Sequence, residues 1–588
     1  MARVSAAHAV IDILDRENVR YVFGIPGGPV LGLCDLLAKH PRIRFILTKH
    51  EQSAAYAAFA YARATGKLGV CLATLGPGAT NLLAGLPVAA IESAPVLALT
   101  GQVQSSGVAR GAHQESTGWF ETPDQQAMFR AVCKQSSTCT DALRLPDLLR
   151  HTIRIALSGR PGPAHLILPS DLLHRKIDYL PLEPRQYRLI EDAAVDENAA
   201  ARIAVRIARA RRPALVFGGR SMQPDCGPAA LELAEAAVIP LITDMSCKSV
   251  VDERSELFLG CIGVMGHKLA EKYLKEESDL IVTIGQTFDE ITTLSWDPAF
   301  AGRDLIQLDI DPHEIAKSFP VADASTGHLP TLLARITAHL RKEKIPHAAE
   351  RRERIKDLRT RQPLFAAPEM SSKKVPLLPQ RVVAELRAAL PDNALVLSDS
   401  SKWARWFGRY FQAARGQVLS AHDYEPMGWA VAGVLGAKLA HPDRPVVCVC
   451  GDGAFLMAAM EISAAANHGI DAIWVVMNDQ RLGIIYDLQQ GLYAGRISGT
   501  TFKNPDFVRF AESFGISGRV VSEPGELTEA MRDAVKRGGS FLFDVRFDPD
   551  EIPSIRPRSL LITKGMGLPD PTPTVITTKA LIKLLKDK

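Results

Sequence analysis

Gly451-Asp452-Gly453 follows the apolar run VVCVC, and Asn478 follows a second apolar run, AIWVVM. Short apolar runs bounded by turn residues read as buried strands. A carboxylate and a carboxamide would then stand at the ends of two such strands. Oxygen donors of that kind hold a hard cation, and the cation can hold a diphosphate. The glycines let backbone approach a phosphate closely. A helix beginning near Ala454 would turn its free N–H groups toward that phosphate. Asp452 and Asn478 are therefore candidate metal ligands, and Gly451, Gly453 and Ala454 candidate diphosphate contacts. The triplet alone would read as a turn with a helix-capping Asp. Asn478 behind a second strand shifts the reading to a site.

A second chemical candidate lies far upstream. Glu51 closes FILTKHE and opens the helical stretch QSAAYAAFAYARAT. An acid at a helix N-terminus is favoured by the helix dipole, which is the purely structural alternative. The next apolar run leads into Leu75-Gly76-Pro77-Gly78-Ala79-Thr80-Asn81, a loop entering another helix.

These residues need parallel sheets to position them. RYVFGIPGG, RIRFILTKHE, LGVCLATLGPG, APVLALTG and PAHLILPSD read as buried strands, separated by Ala- and Leu-rich helical stretches. That rhythm predicts α/β architecture with helices on both faces of each sheet. Asp178 to about Glu197 breaks it with Pro and charge and reads as a linker. A second α/β unit follows through ALVFGG, IPLITD, LIVTIG and LIQLDID. RKEKIPHAAERRERIKDLRTR reads as a charged, solvated connecting helix. A third unit carries Asp452 and Asn478. The predicted boundaries are 1–178, 190–340 and 375–550, with a tail at 551–588 ending in the amphipathic KALIKLLKDK.

The 588 residues exceed one core and predict several domains. A composition of 47% hydrophobic and 23% charged residues is that of a soluble globular chain. A net charge of +4 at this length gives no reason to expect nucleic acid or an anionic membrane as partner. The nine cysteines are scattered, with no CxxC zinc spacing, and read as buried thiols of a cytoplasmic protein. No membrane-length apolar run and no secretion-signal layout is seen.

Taken together, Gly24-Ile25-Pro26-Gly27-Gly28, Glu51, Gly76 to Asn81, RPGPAHLILPSD, LDIDPHEIAKS, Pro426-Met427-Gly428, Gly451-Asp452-Gly453 and Asn478-Asp479-Gln480-Arg481-Leu482-Gly483 resemble, in one order, the acetohydroxyacid synthase family of thiamine diphosphate enzymes. The resemblance runs over essentially the whole chain. It implies three doubly wound parallel-sheet domains: pyrimidine-binding, middle and diphosphate-binding. It implies thiamine diphosphate and Mg2+ as cofactors. Magnesium would be held by Asp452, Asn478 and the backbone carbonyl of Gln480. Glu51 would bond the N1′ atom of the cofactor pyrimidine, so that the 4′-nitrogen can take the proton from thiazolium C2. Met427 would wedge beneath the bent cofactor; a plain core Met is the alternative. Ile25, Pro26, Asn81, Leu482 and Gly483 match further cofactor contacts. The family also places Glu51 and Asp452 of one site on different subunits, so a homodimer or homotetramer is expected.

The acceptor side departs from the family. His113-Gln114-Glu115 stands where the family has Phe-Gln-Glu, and Lys134 follows a longer loop. Gln114 matches a polar contact to the intermediate. His113 reads either as a proton-transfer group or as a polar wall. In GQTFDEITT, Ile291 replaces the Arg that grips the carboxylate of a second 2-oxo acid, and Leu488 replaces a specificity Trp. An apolar side chain cannot substitute for a guanidinium fork. The resemblance thus predicts a carboligase or lyase that decarboxylates a 2-oxo acid or takes another acyl donor. Its acceptor would be an aldehyde, a ketone or another group that is not a standard 2-oxo acid. Acetolactate synthesis proper, simple decarboxylation, 2-hydroxyacyl thioester cleavage and a non-catalytic binding role remain alternatives. The middle segments LDIDPHEIAKS and GCIGVMGHK resemble a region that holds FAD in some relatives, ADP in others and nothing in the rest.

Overall fold

The computed structural model describes residues 2–190, 194–297, 300, 303–493 and 495–553. The expected tail helix lies outside them. Three six-stranded sheets carry the fold, and every strand pair within each is parallel. The first sheet runs in space Arg44–Leu47, Tyr21–Gly24, Gly69–Ala73, Val96–Gln102, Pro163–Pro169, Gln135–Thr138. The middle sheet runs Phe258–Cys261, Leu241–Thr243, Pro213–Phe217, Leu280–Ile284, Asp304–Asp309, Asp323–Thr326. The third runs Val418–Ser420, Leu395–Ser398, Val446–Gly451, Ile473–Asn478, Phe541–Arg546, Ser517–Val521.

Numbering each sheet's strands in chain order gives 2-1-3-4-6-5 for the first and the third alike, and 3-2-1-4-5-6 for the middle. The outer sheets share one topology that their sequences do not display. The middle order is that of dinucleotide-binding sheets. The strands are apolar on both faces, as parallel strands under helices must be.

Contacts divide the chain into two compact units. One comprises residues 1–192, 424–444 and 458–472; the other comprises 193–423, 445–457 and the described residues from 473 onward. Within the first unit, helix Glu51–Thr65 is almost wholly buried although it is rich in alanine. Small side chains are what its neighbour requires. A Cβ on Gly436 of helix Trp429–Ala440 would lie 1.9 Å from the Ala57 carbonyl oxygen, so the two helices meet backbone to backbone. Phe59 and Trp429 close this contact edge to face, ring centroids 5.7 Å apart.

Three sequence expectations are modified. The strand read as FILTKHE ends at Leu47, and Glu51 is the first residue of its helix. The stretch read as a linker from 178 begins inside strand Lys176–Tyr179, which pairs antiparallel with Ala2–Ser5. The charged connector, read as helical from Arg341, is helical only over Ala348–Arg361, after helix Leu329–Leu340 has ended. That helix is not merely solvated: Ile355 and Leu358 join the core, and buried Arg351 donates to the carbonyls of Ile207, Ala208, Ala210 and Ala237. Its guanidinium satisfies carbonyls that two helix ends leave open.

Candidate active site

The proton-relay candidates belong to the first unit. Glu51 is 7% exposed, and its Oε2 accepts from Asn81 Nδ2 at 2.9 Å. Gly78 opens the space around the other oxygen, since a Cβ there would stand 2.9 Å from Glu51 Oε1. The loop Gly76–Asn81 therefore meets the Glu51 carboxylate directly, and two residues singled out in the sequence are in contact. His50 precedes the helix as its cap, with Nδ1 accepting the Gln52 N–H.

Ile25 and Pro26 follow strand Tyr21–Gly24 at its carboxyl end. A Cβ on Gly24 would lie 2.0 Å from the Leu72 carbonyl oxygen, so only glycine brings this turn so close to the next strand. Met427 is half-buried and stands before Gly428, whose φ of +86° turns the chain into helix Trp429–Ala440. His113 and Gln114 are exposed on the loop between strand Val96–Gln102 and helix Gln125–Arg130. Gln114 has a φ of +59°. A Cβ on Gly76 would stand 3.0 Å from the Gln114 carbonyl oxygen, which places that loop over the Gly76 turn.

The metal candidates belong to the second unit. Strands Val446–Gly451 and Ile473–Asn478 are neighbours, with Gly451 opposite Met477, so Asp452 and Asn478 leave the sheet side by side. The helix begins at Asp452 rather than near Ala454, and Asp452 Oδ1 accepts the Gly453 N–H at 2.8 Å. Asp452 Oδ2 accepts the Gln480 N–H at 2.6 Å. Gln480 has a φ of +57°, and its carbonyl accepts from Phe502 N. Leu482 N donates to Thr500 O, and Gly483 packs against Lys402 and Asp479.

Asn504 was not anticipated. Its Nδ2 donates to Asp452 Oδ2 at 2.6 Å and to Asn478 Oδ1 at 2.9 Å. One neutral carboxamide donor thus bridges the two predicted ligand oxygens. The Asn504 Oδ1 is buried without a hydrogen-bond partner among the described residues. An oxygen pair already focused on one point, beside an orphaned third oxygen, fits a magnesium ion. Burial raises the Asp452 carboxyl above its usual range, opposed by the Asn504 and Gln480 donors. Burial, reinforced by the Asp452 charge, pushes Asp479 up to about 7. Such a concentration of disfavoured anionic charge is relieved by a divalent cation.

Lys402 and Asp487 were also missed. Lys402 is 5% exposed, with Nζ 2.9 Å from Asp487 Oδ2 and 3.0 Å from the Pro549 carbonyl. Asp544, which accepts from Asn478 Nδ2 at 2.8 Å, orients that carboxamide so that its oxygen faces Asp452. No single-residue motif marks these partners. Only the fold brings them together.

The middle sheet has the strand order for a dinucleotide, but its switch point is filled. Gly218 and Gly285 follow the two central strands, and their backbones pack on Gln286 and on Arg220–Ser221. Arg220 is 2% exposed and pairs bidentately with Asp309, at 2.8–3.1 Å, with Glu314 3.2 Å away. The guanidinium at the anion-binding end of this sheet is thus already paired with two carboxylates. The residues present therefore do not fit FAD or ADP in the manner expected from the strand order.

Comparison with known proteins agrees with the three α/β sheets of the fold. Residues 4–128 match the N-terminal TPP binding domain of thiamine pyrophosphate enzymes, 200–336 their central domain and 399–545 their C-terminal TPP binding domain. The chain belongs to the thiamine pyrophosphate-dependent enzymes. Within them it belongs to the acetolactate synthase-like family. It is 32% identical to a probable acetolactate synthase large subunit of Methanococcus aeolicus, over 95% of each chain. It is also 32% identical to the acetolactate synthase large subunit of Parasynechococcus marenigrum, over 92% of this chain and 87% of that one. The acetolactate synthase of Arthrospira platensis is 32% identical over 93% of this chain and 95% of its own. Among the described residues no helix is long and apolar enough to cross a membrane.

Proposed function

We propose that this enzyme decarboxylates a 2-oxo acid and passes the acyl unit to an acceptor other than a standard second 2-oxo acid. Bound thiamine diphosphate supplies the nucleophilic carbon and takes up the electron pair released with carbon dioxide. Glu51 holds a proton at the pyrimidine, and Asn81 fixes which carboxylate oxygen faces it. Asp452 and Asn478, with the Gln480 carbonyl, hold magnesium and through it the diphosphate. Met427 supports the cofactor from below, and Ile25, Pro26, Leu482 and Gly483 are further contacts to it. The enzyme works as a homodimer or homotetramer in which Glu51 and Asp452 of one site come from different copies.

The observation that carries the acceptor reading is Ile291. Asp289 caps the short helix Glu290–Thr293 through the N–H groups of Ile291 and Thr292, so Ile291 has a defined, half-buried place. It presents only hydrocarbon where a carboxylate would need a charged donor. Leu488, on helix Gly483–Leu492, is likewise apolar where the resemblance places a specificity Trp. His113 and Gln114 supply polar contacts for a carbonyl acceptor. The relatives named above are acetolactate synthases, and acetolactate formation is the competing reading.

Product analysis decides between them. Purified enzyme with thiamine diphosphate and magnesium is given pyruvate, with and without an aldehyde, and products are identified by mass spectrometry. Mixed hydroxyketones should dominate in the presence of aldehyde. Acetolactate formed from pyruvate alone at a comparable rate would refute the acceptor reading and leave the family assignment intact.

A further inference from the structure

Helix Glu461–His468 grips the segment that leads into Glu51. Glu461 Oε1 accepts the Lys49 N–H at 2.9 Å and the His50 N–H at 3.2 Å. One face of the helix carries both Glu461 and His468, and His468 Nε2 accepts the Leu47 N–H at 2.9 Å. Arg44 donates to the His468 carbonyl. All of these contacts lie within the first unit.

The arrangement completes a cap that the local sequence lacks. In a capping box, the third helical residue reaches back to the N-cap N–H through a Glu or Gln side chain. Here the N-cap is His50 and the third residue is Ser53, which is too short for that task. Glu461 performs it from another helix and takes the preceding N–H as well. Ser53 faces the same carboxylate. Glu461 is 1% exposed, so solvent does not replace these bonds when they are lost.

We infer that Glu461 is a positioning residue: it holds the N-terminus of helix Glu51–Thr65 so that the Glu51 carboxylate stays aligned on the cofactor pyrimidine. This rests on the role proposed for Glu51. The clamp also responds to protons. Burial pushes Glu461 up to about 7, with Lys49 and His50 N–H groups, Ser53 and the Lys49 charge opposing. Ionisable groups on the packed elements are Arg44 and Lys49 before the helix, His50 and Glu51 at its start, Tyr56, Tyr61 and Arg63 farther along it, His468 on the same helix as Glu461, and Lys438, which donates to the Arg444 carbonyl. Loss of a proton near neutrality strengthens acceptance of the two N–H bonds, so alignment should improve as pH rises through about 7.

The test uses the full-length enzyme with two readouts. Backbone amide exchange over residues 45–55 is followed by mass spectrometry without cofactor. Exchange of the thiazolium C2 proton into D2O is followed by quenched NMR with thiamine diphosphate and magnesium bound. Glu461→Ala should lose amide protection at Lys49 and His50 and slow C2 exchange by about 10²-fold, the scale of an ångström misplacement. Glu461→Gln keeps an acceptor oxygen, so it should restore amide protection and most of the C2 rate, while removing the inflection near pH 7. Wild-type C2 exchange in Glu461→Ala, or an unchanged pH profile in Glu461→Gln, overturns the inference. Glu51→Gln is the control. If it exchanges normally, the Glu51 reading falls and this one with it; if it is slow while both Glu461 variants behave as wild type, only the clamp is wrong.

Discussion

Asn81 Nδ2 donates to Glu51 Oε2 at 2.9 Å, while Gly78 leaves the space beside Oε1 open. The carboxylate is thereby held by one oxygen and free at the other. That is the arrangement a proton-holding group needs: fixed in orientation but not saturated. Glu51→Gln should bind thiamine diphosphate nearly as wild type and slow C2 proton exchange by roughly 10²–10⁴-fold. Gly78→Ala should act in the same direction, because its Cβ would press on Oε1. Isothermal titration and quenched NMR separate binding from exchange. Normal exchange in Glu51→Gln removes the relay.

If Asp452 and Asn478 hold magnesium as proposed, the Asn504 amide and the ion share their two oxygens. The Asn504 amide donates to both Asp452 Oδ2 and Asn478 Oδ1, the two oxygens proposed to hold the cation. Truncation to Ala leaves Asn478 Oδ1 without this donor and Asp452 Oδ2 with the Gln480 N–H but one donor fewer, at a cost of about 1–3 kcal/mol. Asn504→Ala should therefore lower the melting temperature without magnesium and thiamine diphosphate, and much less with them. Asp452→Ala should do the reverse, sparing the metal-free protein relative to the loaded one and losing cofactor after brief EDTA treatment. Equal melting shifts for Asn504→Ala under both conditions would show that its amide does not stand in for the cation.

Glu461 gives a pH signature in stability. Its carboxyl rises from 4.5 to about 7 on folding. Between those values the folded state holds a proton that the unfolded state has released. Stability therefore declines as pH rises from about 4.5 to about 7, by about 3 kcal/mol at 1.36 kcal/mol per tenfold, and is then flat. Melting curves of wild type and Glu461→Gln, subtracted at each pH, isolate this group from Asp479, which titrates in the same range. A difference that does not vary between pH 4.5 and 8 would place the Glu461 carboxyl in the ordinary range.

Much of this chain was legible before folding because parallel strands buried on both faces write themselves as continuous apolar runs. LVF, LIVTI, LIQLD, VVCVC and IWVVM are all strands. The residue after such a run lies at the ligand-binding edge, so Asp452 and Asn478 could be found by eye. Asn504 could not: it sits in a loop, and its meaning depends on meeting two oxygens from other elements. Glu461 was equally silent, since its partners are backbone N–H groups, which every sequence contains. Arg220 was silent too: LDIDPHEIAKS suggests a nucleotide by resemblance, and only the fold shows its Asp309 paired with Arg220.

The Arg220–Asp309 pair makes a compositional prediction. Protein purified without added nucleotide should release neither flavin nor ADP on denaturation, measured by fluorescence and chromatography. Arg220→Ala would leave Asp309 buried and unpaired, at a cost of about 3–5 kcal/mol in urea unfolding. Stoichiometric flavin in the purified enzyme would mean that the ion pair opens to admit it.

Ile291 makes the reading of the acceptor reversible. A guanidinium at this position could form a charge-assisted pair with the carboxylate of a second 2-oxo acid, worth about 1.5–3 kcal/mol, or roughly 10–10²-fold in partition. Its neighbours Asp289 and Glu290 are acidic and would help neutralise the new charge. Ile291→Arg should therefore shift products from pyruvate and an aldehyde toward acetolactate, with the rate of carbon dioxide release little changed. The split matters because it separates acceptor choice from the earlier decarboxylation. A fall in carbon dioxide release with no change in the product ratio would show that Ile291 supports the fold of its short helix and takes no part in selecting the acceptor.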